Sequence, residues 1–232
     1  MNPQKAVLLV GSPRGNKSVS RTLGERLMSG LAARGTAVET HSIYGAWAAE
    51  AKMTALLEAV DAAGVVVVSF PLYVDHLPAP VMRLLERIAD RRAGKTPAKR
   101  PLLAALVQCG FPETLQNQPA VDIMERFAEA AGFAWAGALA LGMGGAVQGR
   151  LKDKPNGMLR NVVAGIDAAA AALAEGRAIP ADAVETFGKP LMPKRLYVLA
   201  ANFGWRQEKR KNVRRVDLYA KPYEVTRPGT SR

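Results

Sequence analysis

Ten residues, GSPRGNKSVS from Gly11 to Ser20, concentrate the polar chemistry of this chain. Ser12, Ser18 and Ser20 carry hydroxyls, and Arg14 and Lys17 carry positive charge. The segment leads from an apolar run into a helical pattern, so the unpaired amides of a first helical turn lie within reach. Hydroxyls, cations and helix-terminal amides together hold phosphate. The stretch is one residue away from the nucleotide-hydrolase loop G-x-x-x-x-G-K-[ST], with Gly11, Lys17 and Ser18 in register and Asn16 at the second glycine. Asn tolerates left-handed backbone, so a triphosphate reading stays open on this loop alone.

Two further segments bear on that choice. A triphosphate site places a magnesium-binding Asp at the end of a second apolar strand. Here residues 65 to 68 lead into Ser69, Phe70 and Pro71, and residues 102 to 107 lead into Gln108 and Cys109. The run PLYVDHLPA, residues 71 to 79, is a proline-limited loop whose Leu72, Tyr73 and Val74 suit the faces of a flat amphipathic ring, with main-chain amides for its heteroatoms. A flavin is such a ring. FMN adds one phosphate monoester, which needs hydroxyls and amides but no metal. His76 stands by the expected ring as a candidate proton donor, and Asp75 reads as a solvated loop carboxylate. Cys109 ends an apolar strand without an evident base partner and reads as a small buried hydrophobe.

The elements that must position these residues alternate. Residues 5 to 11 form a continuous apolar run, the mark of a strand buried on both faces. Residues 18 to 33 follow as a helix with Leu23, Leu27 and Leu31 on one side. Residues 37 to 43 alternate weakly, as an edge strand does. Residues 50 to 62 are helical in spacing, and GVVVVSF, residues 64 to 70, is the expected central strand. Pro78 and Pro80 suit a helix's first turn, followed by the stripe Val81, Leu84, Leu85 and Ile88. A basic loop, RRAGKTPAKR, precedes the apolar run PLLAALVQCG. Residues 119 to 131 read as a helix, 134 to 141 as a last strand and 158 to 175 as an alanine-rich helix. Five strands alternating with helices predict an open parallel α/β sheet covered on both faces. In such sheets ligands bind outside the carboxyl ends of the strands, where strand order reverses.

With GSPRGNKSVS, PLYVDHLPAPV and QCGFPE after the first, third and fourth strands, the sequence resembles the NAD(P)H-dependent FMN and quinone reductases of flavodoxin-like fold, over roughly residues 5 to 175. The resemblance implies a five-stranded parallel sheet in the order 2-1-3-4-5. It also implies that Ser12, Arg14, Ser18 and Ser20, with Lys17 beside them, surround the FMN phosphate. Pro71, Leu72, Tyr73 and Val74 would contact the isoalloxazine, and Cys109, Gly110 and Phe111 would close its other side. Family members often complete the site across a dimer, so a homodimer or higher homo-oligomer is implied as well. Phe111 and Pro112 follow Gly110 where some members carry a glycine pair.

Composition bounds the remaining choices. At 232 residues and 49% hydrophobic, the chain suits one large domain with appendages. A single cysteine excludes an intrachain disulfide and a cysteine-rich cluster. The first residues lack a signal-peptide pattern and no apolar run reaches bilayer length, so the expectation is a cytoplasmic protein. Of the net charge of +12, residues 189 to 232 contribute twelve Lys or Arg against three Asp or Glu, leaving +3 for residues 1 to 188. The division expected is therefore a flavodoxin-like domain, 1–188, and a basic extension, 189–232, helical in part. In the extension Leu196, Leu199, Ala200 and Phe203 have helical spacing, with Tyr197 and Trp205 nearby. A helix packed on the domain or a second subunit is expected. The other reading is contact with anionic lipid or nucleic acid through Arg206, Lys209, Arg210, Lys211, Arg214 and Arg215.

The function expected is that of an FMN-dependent oxidoreductase with no catalytic side chain of its own. It would take hydride from NADH or NADPH and reduce a quinone-like or other small acceptor by a ping-pong mechanism. The alternatives are a flavodoxin-like electron carrier or flavin-bound regulatory module docking through the basic tail, and a degenerate triphosphatase.

Overall fold

Four successive valines, Val65 to Val68, are β-branched and apolar, so they favour extended backbone and burial on both sides. In the computed structural model, which describes residues 5–94, 100–147, 151 and 157–212, they form the heart of β3 (Val65–Pro71), every residue of which is buried. Around it stand β1 (Lys5–Val10), β2 (Ala37–Ser42), β4 (Leu102–Gln108) and β5 (Ala134–Leu141), all parallel, in the order β2-β1-β3-β4-β5. The central position of the valine strand, the weakly alternating edge strand β2 and the strand order all agree with the sequence reading. Strand order reverses between β1 and β3, which places the loops after these two strands side by side.

Period-2 alternation sends side chains to two cores. Val7, Leu9, Val66, Val68, Phe70, Leu103, Ala105 and Val107 pack with α3 (Glu50–Ala62), α4 (Ala79–Arg92) and α5 (Gln118–Ala130). On the other face lie α1 (Val19–Ala32) and α6 (Arg160–Ala174). Two glycines allow α1 its close approach there. A Cβ on Gly24 would stand 2.8 Å from both Leu8 methyls, and one on Gly30 would stand 2.7 Å from the Ala170 Cβ of α6.

Two helices escaped the sequence reading. α2 (Ile43–Ala46) is a single turn, too short for periodicity to show. α7 (Ala181–Phe187) packs on Gly165 of α6, where an added Cβ would meet Phe187 Cβ at 2.6 Å. The link before α7 also repairs the sheet. Ala136 is the extra residue of a bulge between β4 and β5, and its carbonyl accepts from Ile179 N at 2.8 Å.

The chain divides into two compact units, residues 1–192 and 193–232. The second contains α8 (Lys194–Asn212), the helix that the sequence led us to expect. The stripe residues Leu196, Leu199 and Phe203 are 55%, 67% and 64% exposed. Arg214 and Arg215 lie outside the described residues, as do the side chains of Lys209, Arg210 and Lys211. Among the described residues no helix is long and apolar enough to cross a membrane.

Candidate functional site

At the carboxyl end of β1 the chain makes a 3-10 turn, Gly15–Lys17, and enters α1. Gly15 carries the one positive φ of this loop, at 54°, while Asn16 lies within the turn. Ser18 caps α1, its Oγ accepting from Arg21 N at 3.2 Å. That leaves the Val19 and Ser20 amides of the first turn without intrahelical acceptors. Ser12, Ser18 and Ser20 are all buried, and the Ser20 hydroxyl has no hydrogen-bond partner among the described residues. An orphan buried hydroxyl costs about 1–3 kcal/mol, which a ligand oxygen would relieve. Arg14 and Lys17 are exposed and pair with no carboxylate among the described residues. A cradle of hydroxyls and amides beside two uncompensated cations fits a phosphate monoester.

The loop after β3 is tied to this cradle. Gly11 N donates to Ser69 O at 2.8 Å, and Ser69 Oγ donates to Ser20 O at 2.7 Å. Pro71 is buried as the last residue of β3. Tyr73 and His76 exchange backbone bonds, Tyr73 N to His76 O at 2.9 Å and His76 N to Tyr73 O at 3.1 Å. Between them Val74 and Asp75 have φ of 50° and 58°, the signature of a type I′ turn. Left-handed backbone is unfavourable for a β-branched residue, and Val74 is also 96% exposed. A strained, solvent-facing apolar tip is therefore held at the mouth of the site. This turn corrects one expectation. The Leu72 amide already donates to Gln108 O at 2.9 Å and the Tyr73 amide closes the turn, so neither is free for ring heteroatoms.

After β4, Gly110 and Phe111 are exposed, but Cys109 is turned inward. Its thiol lies 3.9 Å from Phe111 O and 3.8 Å from Glu113 O, and Asn117 Nδ2 lies 3.5 Å from the sulfur. Burial pushes the thiol pKa up, so it stays protonated and serves structure. Asn117, fully buried, also donates to Thr114 O and Leu141 O. Met143 N and Gly144 N donate to Phe111 O and Cys109 O at 2.7 and 2.8 Å. The loops after β4 and β5 thus form one wall.

Tyr44 is a candidate rim residue that the sequence reading did not single out. It sits on α2, just past the carboxyl end of β2, where Ser42 Oγ accepts from Gly45 N. Trp47 pins this turn to α4 by donating to Pro80 O at 3.2 Å, and the Arg83 guanidinium lies 4.8 Å from the indole centroid. Burial raises the Tyr44 phenol above its usual range, and the nearby Tyr73 adds to the effect. The available signal was position alone, since Tyr44 follows an edge strand whose end shares the site's edge.

Residues 4–104 match the family model described as flavodoxin-like fold. No curated protein matches the sequence. Among solved structures, the chain is similar to a Klebsiella pneumoniae protein put forward as a quinone reductase, at 16% identity and a TM-score of 0.53, over 76% of this chain and 87% of the other. It is also similar to RosB with bound intermediate 8-demethyl-8-formylriboflavin-5′-phosphate, at 14% identity and a TM-score of 0.53, over 98% of this chain and 94% of the other. At such identities the likeness is one of fold. With the parallel order β2-β1-β3-β4-β5 and the family match, it places this chain among proteins of flavodoxin-like fold.

Proposed function

We propose that the chain is an FMN-binding oxidoreductase that accepts hydride from NADH or NADPH and reduces a quinone-like or other small acceptor. The observation that supports this reading is the buried hydroxyl trio Ser12, Ser18 and Ser20 between the end of β1 and the first turn of α1, with Arg14 and Lys17 forming no ion pair among the described residues. In this reading those residues hold the monoester, the hydroxyls by hydrogen bonds and the cations by charge. Tyr73 and Val74 on the I′ turn orient one side of the ring, and Phe111 shields the other. When bound, FMN supplies the two-electron redox chemistry, and no side chain need form a covalent bond.

Proton handling falls to groups at the rim. His76 Nδ1 lies 3.1 Å from Leu77 O, and a carbonyl can only accept, so Nδ1 carries the proton. Nε2 is then the ring nitrogen left for a bound molecule. Tyr44, held in its phenol form, is a donor at the same edge.

The test is the visible spectrum of the purified protein, followed by identification of the flavin released on denaturation. One equivalent of FMN and flavin-dependent consumption of NADH or NADPH are expected. FAD, absence of flavin after reconstitution, or magnesium-dependent ATP binding in its place would overturn the reading. A second reading is favoured by the RosB likeness, which extends over 98% of this chain. In that reading a flavin phosphate would occupy the cradle as substrate and not as cofactor. Mass spectrometry of the flavin after turnover separates the two: an unchanged ring supports the cofactor role, and an altered ring the substrate role.

A further inference from the structure

Residues 193 to 232 carry eleven Lys or Arg against three Asp or Glu. A basic segment of this kind is ordinarily a solvated polar surface, but α8 is not polar. Leu196, Leu199 and Phe203 recur at i, i+3 and i+7, so they form one stripe. All three are exposed, and so are Val198 and Trp205, the latter at 77%. Arg195 and Arg206 are exposed near either end of the stripe, and the helix continues through Lys209, Arg210 and Lys211.

Exposed apolar area favours transfer out of water, whereas a net charge of +8 opposes burial in an apolar core. An anionic lipid surface resolves both demands. The stripe enters the boundary between headgroups and acyl chains while the cations stay among the phosphates. Each Lys or Arg near such a surface strengthens binding roughly fivefold. We infer that α8 is an interfacial helix that docks this protein on anionic lipid.

The competing occupants fit less of what is observed. Nucleic acid would neutralise the cations, but its phosphates offer nothing to Leu196 and Leu199. A second copy could cover the stripe, but it would bring either another unit of net charge +8 or a 1–192 unit of +4 against a basic helix. Electrostatic complementarity is missing from both. α8 is long enough to span a membrane but not apolar enough, so the lipid contact inferred is interfacial.

The full-length chain is mixed with vesicles of one part phosphatidylglycerol to two parts phosphatidylcholine, and with vesicles of phosphatidylcholine alone. Sedimentation with the anionic vesicles only is expected, weakening as salt is raised, together with a blue shift of tryptophan emission that is lost in Trp205→Phe. Leu199→Glu with Phe203→Glu should lower partitioning at least about tenfold. Both residues are exposed, so the variant should keep its melting temperature; if it does not, Arg206→Glu provides the same reading through charge. No binding to anionic vesicles, equal binding to neutral ones, or undiminished binding of the double variant would overturn the inference. A nucleic-acid complex with no vesicle binding, or a dimer that the double variant dissociates, would assign α8 to the other occupants.

Discussion

Ser20 shows how one residue can serve two purposes. Its carbonyl is fixed by Ser69 Oγ, whereas its hydroxyl is buried without a partner among the described residues. With Ser12 and the cation at Arg14 it forms the part of the cradle most open to test. Replacing Ser12 and Arg14 together by Ala should weaken FMN binding by about 2 to 5 kcal/mol, because charge-assisted bonds to phosphate are worth roughly 1.5 to 3 kcal/mol each. Fluorescence titration of the apoprotein measures this, and unchanged affinity would place the phosphate elsewhere. Val74 offers a second test. Its left-handed backbone costs roughly 1–2 kcal/mol, and its side chain, nearly all in solvent, recovers little of that. Val74→Asn should therefore raise stability by about 1 kcal/mol in urea unfolding, since Asn tolerates this turn position. Lower stability would mean that the valine is held by contacts the exposed tip does not show.

At the scale of elements, short connections set the site's geometry. The loops after β4 and β5 are joined through Asn117, Met143 and Gly144, and α2 is clamped to α4 through Trp47. Neither junction uses helical or strand periodicity, so the sequence reading reached Phe111 only through the family resemblance and passed over Tyr44, which lies in none of the motifs that carry it. α7 depends on a close approach instead. A Cβ at Gly165 would meet Ala183 O at 2.9 Å and Phe187 Cα at 3.0 Å, both backbone atoms that cannot yield by changing rotamer. Gly165→Ala should cost about 1–3 kcal/mol by pushing α7 away from α6, with FMN affinity retained. A shift of the urea midpoint checks the first part and titration the second. A neutral substitution would show that the α6–α7 packing gives way easily.

For the whole molecule, charge and core are divided differently along the chain. Both faces of the sheet are covered by helices that end before residue 188, whereas most of the net charge lies after it. A chain ending at Met192 should therefore fold, unfold at the same temperature as the full protein and bind FMN with unchanged affinity. Calorimetry with flavin titration measures both. A lower melting temperature or aggregation would show that α8 covers apolar surface in the intact protein.

The sequence by itself determined the alternation of strands and helices, the central valine strand, the edge character of β2, and the helix stripes at Leu23, Leu27 and Leu31 and at Val81, Leu84, Leu85 and Ile88. These follow from periodicity and propensity, which act between near neighbours. It also singled out the candidate cradle, because hydroxyls and cations crowded into ten residues are a local feature. Only the tertiary structure decided that the Leu72 and Tyr73 amides are already bonded, that Cys109 points inward, and that Tyr44 lies near Tyr73. Each of these depends on where distant parts of the chain meet, or fail to meet. A backbone amide claimed from across the sheet by Gln108 leaves no mark on the residues around Leu72, so local pattern could not reveal it.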